Sequence, residues 1–127
     1  MTKKIHETKN APAPIGPYSQ AVEINGFVFC SGQIAIDPAT GEVKNGSVSE
    51  QTELVMKNVG AVLEAAGCTF DNVIKTTIFL TDMADFPAVN EVYGRYFKSA
   101  PPARSTVAVA GLPRGVKVEI EVIASKG

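Results

Sequence analysis

Apolar residues change their spacing several times along the chain, and each change marks an element. Val116-Lys-Val-Glu-Ile-Glu-Val122 alternates strictly, which predicts a strand over 116–123, and Val107 and Val109 give residues 104–111 the same character. Between them, Leu112-Pro-Arg-Gly115 has turn chemistry, since Pro113 fixes φ and Gly115 tolerates positive φ. The two runs are therefore expected to face each other across that turn. Upstream, Ala21–Ile24 and Phe27–Cys30 flank Asn25-Gly26, the strongest short hairpin signal, because a type I′ turn needs φ > 0 at both central residues. Asp37-Pro-Ala-Thr-Gly41 is a second turn. A helix is predicted over Ser47–Ala66. Ser47 and Glu50 form a capping box, Val55, Val59, Val62, Leu63 and Ala66 form one apolar stripe, and Gly67 is the stop. Val73–Thr81 is rich in β-branched residues and predicts another strand. A second helix begins near Pro87, capped by Asp85 or Phe86, and runs to about Lys98. Ile5–Thr8 is a short candidate first strand. Ala11–Pro17 holds three prolines and is a stiff loop that delivers Tyr18.

The order is thus βββαβαββ, an α+β arrangement of a mixed six-stranded sheet with two helices packed on one face. Phe27–Cys30 is apolar on both sides, and such a strand is expected to be covered on both. Two helices cover only one. Another copy of the chain is the economical cover for the other, so a homo-oligomer is expected.

Composition narrows the field. A length of 127 residues suits a single domain, 1–127, with a sizeable core. The net charge of −1 gives no field to attract nucleic acid or an acidic membrane. No apolar run approaches a membrane span. The basic start through Lys4 resembles a signal n-region, but His6–Asn10 follows instead of an apolar stretch, so no signal peptide and a cytoplasmic location are expected. Cys30 and Cys68 are far apart and form no CxxC; they are expected to be reduced and packed as small apolar groups. The one histidine, His6, has no ligand partners at metal spacing. No phosphate loop, HExxH or GxSxG occurs, and no metal or cofactor is expected.

Two charges stand out against the strand pattern. Arg104 opens its strand behind two prolines, and Glu119 sits in the middle of the other. A guanidinium fork can hold a carboxylate, and a carboxylate can position a water. A solvated face of Lys117, Glu119 and Glu121 explains the second charge equally well. If the two runs pair directly, Glu119 lies opposite about Val107 or Ala108, and Arg104 is roughly 10 Å away along the strand. The pair then brackets a small ligand only if both side chains point the same way, or it meets across a subunit boundary.

Pro102-Ala-Arg-Ser-Thr-Val107, Leu112 and Val118-Glu-Ile120 resemble the C-terminal signature of the Rid (reactive intermediate deaminase) family, in its RidA branch, also called YjgF or L-PSP-like. Ala13-Pro-Ile-Gly-Pro-Tyr-Ser19, Ser31-Gly-Gln33, Asp37–Gly41, Asn58-Val59, Glu64-Ala-Ala-Gly67, Lys75-Thr-Thr77 and Val89-Asn90 extend the resemblance, in order, over nearly the whole chain. It implies a chorismate-mutase-like fold and a homotrimer with clefts between subunits. It also implies hydrolysis of imines and enamines such as 2-aminoacrylate to 2-keto acids and ammonia, as in 2-iminobutanoate/2-iminopropanoate deaminases. By that resemblance Arg104 and Glu119 are catalytic, and Tyr18, Ser31, Gly32, Asn90, Arg104 and Thr106 line the substrate site. Tyr18 as a packed ring and Asn90 as a solvated helix residue are the plainer alternatives. Several relatives carry a cysteine where Thr106 stands, so thiol control is not expected here, whereas a backbone N–H at that position serves hydrolysis equally well. Two other functions compete: a non-catalytic 2-keto-acid-binding regulatory or partner protein, and an endoribonuclease or translation inhibitor. The low charge and single histidine argue against the latter.

Overall fold

Local signals form the elements much as the pattern predicts. The computed structural model describes residues 2–127, and Met1 lies outside the described residues. Strands β1 (Lys4–His6), β2 (Ala21–Ile24) and β3 (Phe27–Cys30) are followed by helix α1 (Val48–Ala65) and strand β4 (Val73–Leu80). Helix α2 (Phe86–Gly94) and strands β5 (Ala103–Ala108) and β6 (Val118–Ser125) complete the order. The β2–β3 turn has φ of 53° at Asn25 and 80° at Gly26, the positive pair that a type I′ turn demands. Ser47 and Glu50 close a reciprocal capping box on α1. The helix ends in a Schellman motif. Cys68 N–H donates to Leu63 O at 2.8 Å, Gly67 N–H donates to Glu64 O at 2.9 Å, and Gly67 takes φ 78°.

Helix α2 is shorter than its pattern suggests. After Gly94 the turns tighten, with Tyr96 N–H bonding Tyr93 O and Phe97 N–H bonding Gly94 O. The tightening brings Tyr96 and Phe97 onto Phe70, with ring centroids 5.0 and 5.5 Å apart.

The sheet order is β1-β2-β3-β6-β4-β5. This corrects one expectation: β5 and β6 do not pair. β4 lies between them, parallel to β5 and antiparallel to β6. The nine residues between β5 and β6 exceed a tight hairpin loop and carry the chain over the end of β4. Val109 N–H still bonds Leu80 O at 2.8 Å, and Thr81 N–H bonds Lys117 O at 3.2 Å. Ile78 and Leu80 of β4 are fully buried, and a β5–β6 hairpin would have left one edge of this central strand unpaired.

Alternation then sorts the sheet into two faces. Val28, Cys30, Ile78, Leu80, Val118, Ile120 and Val122 pack with Val55, Val59, Leu63 and Val89 of the helices in one core. Residues of opposite parity have no such cover. Phe27 is 42% exposed, Phe29 45% and Val107 41%. The strand read as apolar on both sides is therefore covered on one side by its own chain and open on the other.

Candidate functional site

The candidate residues form two groups. The first gathers where β3 ends and β6 begins. Gln33 N–H donates to Ile120 O at 2.9 Å and Ile120 N–H returns a bond to Gln33 O at 3.2 Å, so residues 31–33 run beside the start of β6. Ser31 is fixed from the other side: its N–H donates to Gln20 O at 2.9 Å and its Oγ to Ser19 O at 2.6 Å. Gly32 lies directly against Glu119, and a Cβ at Gly32 would overlap the carboxylate. Half-burial, and to a lesser degree the neighbouring Glu121, raise the Glu119 pKa above the usual 4.5. Tyr18 is 53% exposed, so the packed-ring reading does not hold. The proline loop before it is tied down by buried Gln20, whose Nε2 donates to Pro12 O at 2.8 Å and whose Oε1 accepts from Thr8 N–H at 2.7 Å.

The second group belongs to β5 and α2. Arg104 donates from Nη1 to Asn90 Oδ1 at 2.7 Å. Its Cζ lies 5.2 Å from the Phe86 ring centroid and 5.0 Å from that of Tyr93. Asn90 thus touches Arg104 rather than standing free on its helix. Thr106 is half-buried two residues along β5. Because Val109 bonds β4 and bonding edges alternate, Arg104, Thr106 and Ala108 turn their backbone groups away from β4, toward the free edge of the sheet. Phe86 and Tyr93 were not singled out for the site from sequence, although with Asn90 they stand at i, i+4 and i+7 of one helix.

The two groups do not meet within the chain. Arg104 pairs with buried Thr76 and so lies on the helix-covered face, whereas Glu119 pairs with Phe79 on the open face. Along Glu119–Phe79–Val107 the offset is two strands across and three residues down to Arg104, roughly 14 Å between Cα atoms. Two surface grooves, of about 530 and 610 Å³, lie elsewhere, against Lys57 and Phe70 and along Glu7 and Pro38. Neither is lined by a candidate residue.

Both cysteines are free and buried, as small apolar groups. Burial, with a smaller contribution from Cys68, pushes the Cys30 thiol up to about 12. The histidine is engaged as well, with Nε2 at 2.7 Å from Glu23 Oε1 where β1 meets β2. Among the described residues no group of three or more His, Cys, Asp or Glu is placed to hold a metal. Among them, too, no helix is long and apolar enough to cross a membrane.

Comparison with known proteins adds to this geometry. A family model described as Endoribonuclease L-PSP matches residues 8–126. The 2-iminobutanoate/2-iminopropanoate deaminase of Mus musculus is 50% identical over 127 residues, covering 100% of this chain and 94% of its own length. The crystal structure of E. coli TdcF with bound serine is 46% identical, with a TM-score of 0.93, covering 98% of this chain and 99% of that one. RidA from an Antarctic Psychrobacter is 43% identical, with a TM-score of 0.92, covering 96% and 98%. Fold and sequence together define an α+β protein of the L-PSP type, with one helix-covered and one open sheet face. The chain belongs to the Rid family.

Gly32 yields a prediction for this site. Gly32→Ala should displace the Glu119 side chain, since the added methyl and the carboxylate cannot share the space. On an imine-hydrolase reading of the site, turnover should fall at least tenfold with little change in Tm, because the segment is partly exposed. Activity within twofold of wild type would show that the Glu119 position is not needed.

Proposed function

We propose that the protein is a 2-iminobutanoate/2-iminopropanoate deaminase, hydrolysing reactive imines and enamines such as 2-aminoacrylate to 2-keto acids and ammonia. In this reading it works as a cytoplasmic homotrimer with its sites between subunits. The observation that carries it is the split of the candidate residues into two partial sites on opposite faces of one sheet, each incomplete alone. A neighbouring copy that brings its open face and β3–β6 group against the free β5 edge supplies what each chain lacks. Covering Phe27, Phe29, Ile5 and Val107, all more than 40% exposed, favours such packing by about 1–2 kcal/mol for each side chain. The mouse relative carries the name of this activity over the whole length of the chain. The two free, buried cysteines suit a reducing compartment.

The chemistry follows from the groups. Arg104 grips the substrate carboxylate with charge-assisted N–H bonds and fixes the imine carbon beside it. Glu119 of the neighbouring copy takes a proton from water as the oxygen adds to the C=N carbon. That proton passes to the nitrogen and completes the carbinolamine. Glu119 then takes the hydroxyl proton and delivers it to the nitrogen as the C–N bond breaks, releasing ammonia and leaving the keto acid. Backbone N–H groups at Thr106 and Gly32, with Tyr18 and Ser31, line the remaining walls. Asn90 reaches the site through Arg104.

A coupled assay tests this: an amino-acid oxidase generates the imine, and keto-acid appearance is followed with and without the protein. Acceleration is expected, and none across several imines would overturn the reading in favour of keto-acid sensing. The pH profile carries a second expectation. Glu119 must be ionised to accept a proton, and its pKa is raised by burial. Activity should therefore fall on the acid side with a midpoint above 4.5, and that limb should disappear with the residual rate of Glu119→Gln. An RNA-cleaving role gains nothing from a chain of net charge −1 whose histidine is bound to Glu23.

A further inference from the structure

We propose that Phe86, Asn90 and Tyr93 are positioning residues that hold the Arg104 guanidinium ready for an anion without neutralising it. The proposal rests on the deaminase reading, in which Arg104 receives the substrate carboxylate. The three residues share one face of α2 and surround a single side chain. Asn90 Oδ1 accepts one N–H at 2.7 Å, and the rings of Phe86 and Tyr93 lie 5.2 and 5.0 Å from Cζ. Tyr93 is itself locked. It is buried, its hydroxyl lies 2.8 Å from Thr76 Oγ1, and its ring packs on Phe97 at 4.8 Å. Thr76 is the register partner of Arg104 on β4, so helix and strand are bolted together beside the guanidinium.

What distinguishes this arrangement is the chemistry of the partners. All three are neutral. Arg95, at the C-terminal end of α2, shows the alternative: it is spent on Glu53 at 2.6 Å and Glu91 at 3.2 Å. Arg104 has no carboxylate partner among the described residues. Two aromatic faces and an amide oxygen restrain its orientation, while the full positive charge and the remaining N–H donors stay available. A long side chain ordered in advance loses less entropy when its ligand arrives, and this tightens binding. Because the carboxylate is held alike in substrate and transition state, the effect belongs in KM and not in kcat.

The test uses Phe86→Leu and Asn90→Ala, with Phe86→Tyr as the ring-preserving control, in the assembled protein. Three quantities are read: kcat and KM for imine hydrolysis, Kd for pyruvate by titration, and the Nε–Hε NMR signal of Arg104. Phe86→Leu and Asn90→Ala should each raise KM and Kd about two- to fivefold with kcat unchanged, and Phe86→Tyr should match wild type. The Nε–Hε signal should carry a ring-current shift that Phe86→Leu reduces, the Tyr93 ring supplying what is left. Unchanged Kd and an unmoved signal would overturn the proposal, as would a fall confined to kcat. Wild type that neither hydrolyses imines nor binds pyruvate would instead overturn the deaminase reading, and the NMR signal would still decide whether Arg104 is held as described.

Discussion

Replacing Arg104 by alanine is expected to lower kcat/KM for imine hydrolysis by about 10²–10⁴-fold, while Tm hardly moves. The size follows from losing two hydrogen bonds to a charged carboxylate, each worth roughly 1.5–3 kcal/mol. The intact fold follows from the exposure of Arg104 and from its neutral partners, none of which is left as an unpaired buried charge. Arg104→Lys should recover only part of the loss. An ammonium keeps the charge but offers no planar fork, and it does not accept the same side-on contact with Asn90 and the two rings. Steady-state kinetics beside a thermal melt check both variants. Near-full activity in Arg104→Lys would show that charge alone suffices and that the fork geometry is irrelevant.

Mixing two inactive variants should restore activity. Arg104→Ala copies keep Glu119, and Glu119→Gln copies keep Arg104. If each site takes its arginine from one copy and its glutamate from the next, random assembly at equal ratio makes about a quarter of the boundaries fully wild type. Co-refolded protein should then show about 25% of wild-type activity, from parents that show almost none. A site within one chain would give no recovery at any ratio. The geometry favours recovery, because the two residues lie on opposite faces of their own sheet. Light scattering on the same samples reports the number of copies in the assembly, and a monomer at micromolar concentration would refute the shared site.

Most of the fold was legible because its elements announce themselves locally. The Asn25-Gly26 turn, the Ser47/Glu50 capping box and the Gly67 stop each act within a few residues, and each stands as the sequence predicts. The partner of β6 was not legible. Leu112–Gly115 has genuine turn geometry, with φ of 60° at Arg114 and 71° at Gly115, but a turn fixes a reversal and not a neighbour. β4, some forty residues earlier, takes the place between the two strands. The same error affected the site. A direct hairpin left open whether Arg104 and Glu119 share a face, and only the inserted strand, with its parity, sets them apart. The stacking of Phe86 and Tyr93 on Arg104 was hidden for a related reason: it joins α2 to a strand edge, and nothing in the residue spacing of α2 points to that edge.

The position of β6 also bears on how the chain is made. It is the last of the six strands to leave a ribosome, yet it lies in the interior of the sheet, between β3 and β4. Until it emerges, β1–β3 and β4–β5 have no strand pairing with each other, and each carries a bare edge. The sheet therefore closes in one late, cooperative step, and its many contacts between distant parts of the sequence make that step slow compared with the formation of α1. A nascent chain stalled before Val118 should expose Val28 and Ile78 together with two unpaired strand edges, the form of this protein most prone to capture by chaperones.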